Sequence, residues 1–222
     1  MRPLIILHGA WHQPAHFEGL AERLRGQGVE VAVPDLAGHS LAQSTQLVQD
    51  LVDQSTQQPV VLAHSFGGVT ASGLQRVHHL LFLNSFIFDV GESPQDWIER
   101  VERETGRQAA PLPLSVDEDG MTHLEPEGAR EGLFADCRDE VAEWAVGLLR
   151  PEPGTIFTEA AQRAAWKEIP STYIAGDQDR AIVPEMVAYF AERCGERLVW
   201  PTSHSPYLSR PDDVVALVRD HL

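Results

Sequence analysis

The sequence has 222 residues, of which 43% are hydrophobic and 23% charged, which suits one globular domain with a sizeable core or one domain with an inserted lid. Its 33 acidic and 17 basic residues give a formal net charge of −16, which argues against binding to nucleic acid or to an anionic membrane surface. Cys137 and Cys194 follow neither a metal-binding nor a disulfide pattern, and no apolar run has the length of a membrane span. The first apolar run is also too short for a signal peptide, so we expect a cytoplasmic protein.

The first 85 residues alternate between short apolar strands and amphipathic helices. Strands are predicted at 4–7, 29–33, 59–64 and 77–83, and helices at 17–27, 41–56 and 67–74. Nearly continuous apolar strands that alternate with helices indicate an α/β fold, with a mainly parallel sheet and helices on both faces. The active crevice of such a sheet lies beyond the carboxyl ends of its strands. We expect to find His8-Gly9, Ser65 and Asn84-Ser85 there.

The pattern changes between residues 86 and 168, which are rich in proline and contain helical segments at 96–105 and 126–149. We interpret this stretch as an inserted, mainly helical lid, because the strand–helix pattern resumes afterwards. Strands are then predicted at 171–175 and 197–200, and helices at 184–193 and 212–222. Residues 1–85 and 169–222 would together form the core domain.

The serine at position 65 lies where a predicted strand turns sharply into a predicted helix. Ala63-His64-Ser65-Phe66-Gly67 is a variant of the G-x-S-x-G motif, with Ala63 in place of the first glycine. Such a turn raises the hydroxyl above the sheet and places the following N–H at a helix N-terminus, where negative charge is favoured. This local pattern makes Ser65 a candidate nucleophile.

A serine nucleophile needs a base and an acid that orients the base. Asp179 and His204 each follow a predicted strand, and the order Ser65, Asp179, His204 is that of an α/β-hydrolase triad. Asp177 is an alternative acid, although a Gly-Asp pair also suits a turn. The chain therefore offers a complete triad with two candidates for its acidic member.

Several motifs in register resemble one α/β-hydrolase subfamily, which contains plant methyl esterases, hydroxynitrile lyases and bacterial carboxylesterases related to pyrethroid hydrolases. They are Leu7-His8-Gly9-Ala10-Trp11, Pro34-Asp35-Leu36-Ala37-Gly38-His39, His64-Ser65-Phe66-Gly67-Gly68, the segment from Asp179 to Pro184, His204-Ser205-Pro206 and Leu133-Phe134-Ala135-Asp136-Cys137 with Leu148-Leu149-Arg150-Pro151. The resemblance spans the whole chain. It implies a cofactor-free serine esterase with the triad Ser65, Asp179 and His204, and favours Asp179 by its position before a helix-opening proline. The oxyanion donors it implies are the backbone N–H groups of Ala10 and Phe66.

The remaining candidates concern the substrate pocket and bound groups. Trp11, Phe86, Phe134 and Trp144 are candidates for the lining of that pocket, although each also suits ordinary packing. His12 and His16 are four residues apart, as helical metal ligands can be, but no convincing third ligand accompanies them, so no metal site is predicted. The predicted partner is a small-molecule ester, and the protein is expected to act as a monomer or homodimer.

We therefore expect a carboxylesterase for small, hydrophobic or aryl esters, with three alternatives. In the lyase branch, the resemblance implies a threonine and a lysine at two positions where this chain has Gly9 and Ser205. The lack of both residues at these positions favours ester hydrolysis. The triad alone does not distinguish an esterase from an amidase, thioesterase or lactonase. A non-catalytic ligand-binding protein on the same fold is the third alternative.

Overall fold

The strands of the protein form one large and one small sheet. A computed structural model describes residues 1–109 and 112–222. Its strands, in chain order, are β1 (Leu4–Leu7), β2 (Val31–Ala32), β3 (Val60–His64), β4 (His79–Leu83), β5 (Leu114–Val116), β6 (Met121–Leu124), β7 (Glu152–Pro153), β8 (Ser171–Gly176) and β9 (Glu196–Trp200). Within the described ranges, the main sheet has six strands in the order β2-β1-β3-β4-β8-β9, and every pair is parallel.

Helices cover both faces of the main sheet. They are α1 (Glu18–Arg25), α2 (Leu41–Gln54), α3 (Gly67–Ser72), α4 (Pro94–Thr105), α5 (Pro126–Leu133), α6 (Asp139–Gly147), α7 (Pro184–Glu192), α8 (Pro206–Ser209) and α9 (Pro211–Arg219). Successive strand residues point to opposite faces. Ile5 and Val61 therefore pack with α2, α3, α4 and α7, whereas Leu4 and Val60 pack with α1 and α9. This two-sided burial explains why the central strands β1, β3 and β4 are almost entirely apolar.

Most of the predicted elements are confirmed, and capping explains several helix bounds. Helix α2 begins at Leu41 because the Ser40 hydroxyl accepts the Gln43 N–H while the Gln43 side chain accepts the Ser40 N–H. Ser93 and Asp96 form the same capping arrangement at α4, which therefore begins at Pro94, two residues before the predicted start. Strand β2 is shorter than predicted, with two residues instead of five.

The predicted helical content of residues 86–168 is incomplete, because this segment also contains the antiparallel sheet β5-β6-β7. We call β5, β6 and β7 the small sheet. All three residues of β5 are exposed, and β7 joins β6 only after an interval that holds α5 and α6. The small sheet therefore lacks the alternating pattern by which a half-buried strand is recognised. The boundaries of the proposed lid stay a prediction.

The main sheet creates a crevice at one defined point. Strand β1 lies between β2 and β3, so the chain passes to opposite sides of β1 and the strand order reverses there. In open parallel sheets, ligands bind beyond the carboxyl ends of the strands at such a point. The segments after β1 and β3 are therefore the first place to seek a site. None of the helices in the described ranges is both long and apolar enough to cross a bilayer.

Candidate active site

Ser65 occupies a sharp turn between β3 and α3. Its φ of +53° lies in the left-handed region, which a non-glycine residue adopts only when its surroundings hold it there. The Ser65 carbonyl accepts hydrogen bonds from the N–H groups of Gly68 (3.1 Å) and Phe86 (3.0 Å) and from the Ser85 hydroxyl (2.8 Å). These bonds tie the turn to the segment after β4.

The two glycines that follow the turn are required by close backbone contacts. A Cβ atom at Gly67 would lie 2.6 Å from the Leu7 carbonyl oxygen, and one at Gly68 would lie 2.2 Å from the Phe86 carbonyl oxygen. Both distances are far shorter than van der Waals contact. Helix α3 can therefore start directly behind Ser65 only because residues 67 and 68 lack side chains.

His204 forms a buried pair with Asp179. Its Nδ1–H donates to Asp179 Oδ2 over 2.9 Å, and both side chains are almost completely inaccessible to solvent. Asp179 Oδ1 accepts the N–H groups of Ala181 (2.8 Å) and Ile182 (3.2 Å), which orients the carboxylate. Asp177 is exposed, so the structure brings His204 together with Asp179 and not with the alternative acid.

Ser65 and His204 line the same cavity. Because His204 Nδ1 carries the proton, Nε2 has a free lone pair, and it has no hydrogen-bond partner among residues 1–109 and 112–222. In the described ranges, the Ser65 hydroxyl therefore forms no hydrogen bond with His204 Nε2. Such bonds are often long before substrate binds and shorten in the complex.

The backbone around His204 is held by residues from three distant segments. Asn84, at the end of β4, donates its side-chain amide to the carbonyls of Ser203 (2.9 Å) and His204 (3.1 Å), and the His64 ring also donates to the His204 carbonyl (3.0 Å). Asp136 accepts the Ser203 N–H (3.0 Å) and the Ser203 hydroxyl (2.5 Å). No role is predicted for Asp136 from the sequence, although the segment around it carries part of the family resemblance.

The segment after β1, residues 8–13, is here called the β1 loop. His8 accepts the Leu36 N–H at Nε2 (2.9 Å), so its proton is on Nδ1, which donates to the Gly9 carbonyl (2.9 Å). The His12 N–H donates to the same carbonyl (3.3 Å). Because a trans peptide points its C=O and N–H in opposite directions, these bonds direct the Ala10 N–H away from His8.

The Ala10 and Phe66 amides have the properties of a pair of free donors. Both residues line the cavity that contains Ser65. Among the hydrogen bonds of the described residues, none uses either N–H as a donor. Backbone N–H groups that lack a partner within the described ranges are the kind of donor that can bind a developing negative charge.

Four histidines beside the site are buried and neutral. Desolvation by burial lowers the pKa of His8 to about 4 and that of His16 below its usual value. Burial, together with neighbouring imidazoles, lowers the pKa values of His12 and His64 well below 6.5. His12 and His16 each donate a ring N–H to a backbone carbonyl, of Ala10 (2.8 Å) and Ala145 (3.0 Å) respectively. Both histidines of this four-residue spacing thus use a ring N–H to bind the backbone around them.

Because these histidines are buried and neutral, we expect the protein to lose stability in mild acid. Above pH 6.5, His8 is neutral in both the folded and the unfolded chain. As the pH falls from 6.5 to about 4, the unfolded chain takes up a proton that the folded chain refuses, which lowers the free energy of unfolding. His8 alone should account for about 3 kcal/mol over this range.

Urea unfolding at several pH values between 7 and 5, where most carboxylates stay ionised, measures this effect. The free energy of unfolding should fall steadily across the range. A His8→Asn variant should show a smaller slope against pH, because one of the responsible groups is gone. Equal stability of the natural protein at pH 7 and pH 5 would contradict the assignment.

The cavity above Ser65 has mostly apolar walls. The lining includes Trp11 and Phe86, two of the four aromatic residues predicted for it. The other lining residues are Ala10, His12, Ser65, Phe66, Pro94, Ile98, Ala109, Leu112, Leu114, Leu133, Phe157, Ala181, Ile182, Met186 and His204.

The predicted lining is wrong for Phe134 and Trp144. Phe134 is 1% exposed and packs into a separate core between α5 and α6, while its neighbour Leu133 lines the cavity instead. Trp144 is 47% exposed and lies with its ring 6.1 Å from that of His16. Aromatic character alone does not reveal which side of a short helix faces the pocket.

Comparisons with known proteins agree with this fold. A model of the alpha/beta hydrolase family matches residues 4–217. "Alpha/beta hydrolase nvfD" of Aspergillus novofumigatus is 30% identical, with 98% of this chain and 95% of that protein covered. A pyrethroid hydrolase of Sphingobium wenxiniae is 26% identical, with 98% and 86% covered. The crystal structure of a polyneuridine aldehyde esterase has a TM-score of 0.83 at 18% identity, with 99% and 98% covered.

These matches confirm the class that the sequence motifs indicated. The chain belongs to the α/β hydrolase family, and nearly its whole length takes part in the match.

Proposed function

We propose that this protein is a serine carboxylesterase that hydrolyses small, neutral, hydrophobic or aryl esters. The observation that carries this proposal is the position of His204. Its Nδ1–H is bound to the buried Asp179 carboxylate, and its Nε2 lone pair has no partner among the residues that the structure describes, in the cavity that Ser65 also lines. This arrangement suits a base that takes the proton of a serine hydroxyl.

In the proposed mechanism, the Ser65 oxygen attacks the ester carbonyl carbon while its proton moves to His204 Nε2. The carbonyl π electrons move to oxygen, and the resulting oxyanion accepts hydrogen bonds from the N–H groups of Ala10 and Phe66. When the oxyanion collapses, the bond between the carbonyl carbon and the alkoxide oxygen breaks, and His204 Nε2–H gives its proton to that oxygen to form the alcohol. Asp179 keeps the ring oriented and stabilises its charged form.

The second half of the reaction repeats these steps with water. His204 takes a proton from the water, whose oxygen attacks the acyl-enzyme carbonyl. The second oxyanion collapses, the bond to Ser65 breaks, and the serine oxygen takes the proton back from His204. The products are a carboxylic acid and an alcohol, and the enzyme returns to its starting state.

The walls of the cavity support a neutral, apolar substrate. In the part of the chain that the structure describes, no Asp, Glu, Lys or Arg side chain lines it. A charged substrate would lose its hydration there without gaining a counter-charge. Trp11, Phe66 and Phe157 lie with neighbouring ring centres 5.7 and 6.2 Å apart, which suits an aryl group. The name of the pyrethroid hydrolase relative agrees with an apolar substrate.

The surroundings of Ser65 disfavour the lyase alternative. A Cβ atom at Gly9 would lie 2.7 Å from Ser65 Cβ, so a threonine at position 9 would require the serine to move. Ser205 stands where the lyase resemblance implies a lysine. The absence of a cofactor, the small-molecule partner, the monomeric or dimeric state and the cytoplasmic location stay predictions.

Two measurements on the purified protein test the proposal. A fluorophosphonate probe should label the natural protein on Ser65, and p-nitrophenyl esters of neutral acyl chains should be hydrolysed. Esters that carry a carboxylate or an ammonium group in the acyl part should have a kcat/KM at least 10-fold lower, because their charge would be desolvated. A protein that neither reacts with the probe nor hydrolyses any ester would be better explained as a ligand-binding member of the family.

A further inference from the structure

We propose that Thr122, on the small sheet, positions the Ala10 N–H for catalysis by holding the indole of Trp11. This inference rests on the proposed esterase function and assigns a role to a residue more than a hundred positions away in the chain. Thr122 does not line the cavity, so it acts on the reaction through the β1 loop.

Trp11 has a backbone conformation that must be held in place. Its φ is +63°, in the left-handed region that bulky residues rarely adopt. Such a conformation persists only when surrounding contacts specify it, and it is found at sites where precise geometry is needed. Trp11 directly follows Ala10, and the two residues share a peptide group. A return of Trp11 to a negative φ would therefore reorient the peptide beside the proposed oxyanion donor.

Strands β6 and β7 and the segment just before β7 supply contacts that hold Trp11. The indole Nε1–H donates to the Thr122 hydroxyl oxygen (3.0 Å), and that hydroxyl donates its only proton to the Glu152 carbonyl (2.8 Å). The Trp11 carbonyl accepts the Arg150 N–H (2.8 Å). Thr122 and Glu152 also face each other in the pairing of β6 with β7. The β1 loop is thus bound at both the side chain and the backbone of Trp11.

This connection is closed to solvent. Trp11 is 8% exposed, Thr122 3% and Glu152 4%, so water does not readily replace a lost hydroxyl. Valine has almost the same shape as threonine but can neither accept from the indole nor donate to the carbonyl. A Thr122→Val variant therefore removes the connection while it preserves the packing, whereas Thr122→Ser keeps both hydrogen bonds.

The experiment compares kcat per reactive serine, with the number of reactive serines counted by fluorophosphonate labelling. For a p-nitrophenyl ester, Thr122→Val should lower kcat by roughly 10- to 100-fold and leave KM within about twofold, since an oxyanion donor acts on the transition state. Binding of an aryl trifluoromethyl ketone, which forms an oxyanion on the serine, should weaken by a similar factor. Thr122→Ser should retain both properties.

Thr172→Val is a matched control. The Thr172 hydroxyl is buried in β8, accepts from the His79 ring (2.9 Å) and donates to a Glu196 carboxylate oxygen (3.1 Å), the same pattern as Thr122. This variant should lower the unfolding temperature but not kcat per reactive serine. If Thr122→Val does not fold, Trp11→Phe removes the same hydrogen bond from its other end and should lower kcat likewise.

The inference is overturned if the Thr122 variant has the natural kcat per reactive serine, or if the serine variant loses as much as the valine variant. A loss of kcat in Thr172→Val equal to that in Thr122→Val would overturn it as well, since the effect would then be general. These outcomes all presuppose a natural protein with Ser65-dependent esterase activity. If the unmodified protein has no such activity, the proposed function itself fails. A failure of the role assigned to Thr122 alone would leave that activity in place.

Discussion

Replacement of Ser65 by alanine is expected to lower the turnover of p-nitrophenyl esters on the order of a millionfold, to the background rate. The substitution removes the hydroxyl of a residue that lines the same cavity as Ala10, Phe66 and His204, whose Nε2 has no hydrogen-bond partner in the described ranges. It should also abolish labelling by a fluorophosphonate. Substrate binding should survive, because the cavity walls are unchanged.

A control for this result is Ser72→Ala. Ser72 is also buried and lies in α3, the helix that begins behind the Ser65 turn, and its hydroxyl donates to the Gly68 carbonyl (2.8 Å). Loss of this internal helix bond should leave both kcat and labelling close to natural values. Significant turnover by Ser65→Ala, measured on protein free of contaminating esterase, would refute the nucleophile assignment.

The second large effect is expected for Asp179→Asn, which should lower kcat by about ten-thousandfold. Asparagine can still accept the Ala181 and Ile182 N–H groups through its oxygen, so the turn should keep its shape. Its NH₂ group, however, would donate to His204 Nδ1, which would then carry the lone pair. The proton of the ring would move to Nε2, and that nitrogen could no longer accept the proton of Ser65.

Asp177→Asn is the matched control for this prediction, because it makes the same chemical change two residues away. The Asp177 backbone N–H donates to the Trp200 carbonyl (3.0 Å), which the substitution leaves intact, and its side chain is exposed. Turnover should stay within about twofold of the natural value, as for most surface substitutions. A larger loss in Asp177→Asn than in Asp179→Asn would exchange the roles assigned to the two acids.

The main sheet could be predicted because its burial on both faces leaves a simple mark in the sequence. Strands such as β1 and β3 are apolar at almost every position, and each is followed by a glycine-containing turn. The residues alone leave both Asp177 and Asp179 as candidates for the acid of the triad. Only the family resemblance favours Asp179. The hydrogen bond to His204 distinguishes them in space.

The residues that support the site could not be predicted from local patterns. Asp136 meets Ser203 across 67 positions, and Thr122 meets Trp11 across 111 positions. Each is a single polar residue in a segment without a clear period, so neither leaves a signal comparable to a strand or a helix face. The misplaced Phe134 and Trp144 have the same cause, because the orientation of α5 and α6 depends on long-range packing.

The hydrogen bonds of Asp136 have a consequence for protein engineering. Its carboxylate also accepts the Ser209 hydroxyl (2.8 Å), so one side chain ties residues 203 and 209 to the region between α5 and α6. A chimera that receives α5 and this region from another hydrolase would exchange Leu133, which lines the cavity, and the anchor of residues 203 and 209 in a single step. Recombination designed to alter selectivity should therefore retain an aspartate at this site, or move both partners together.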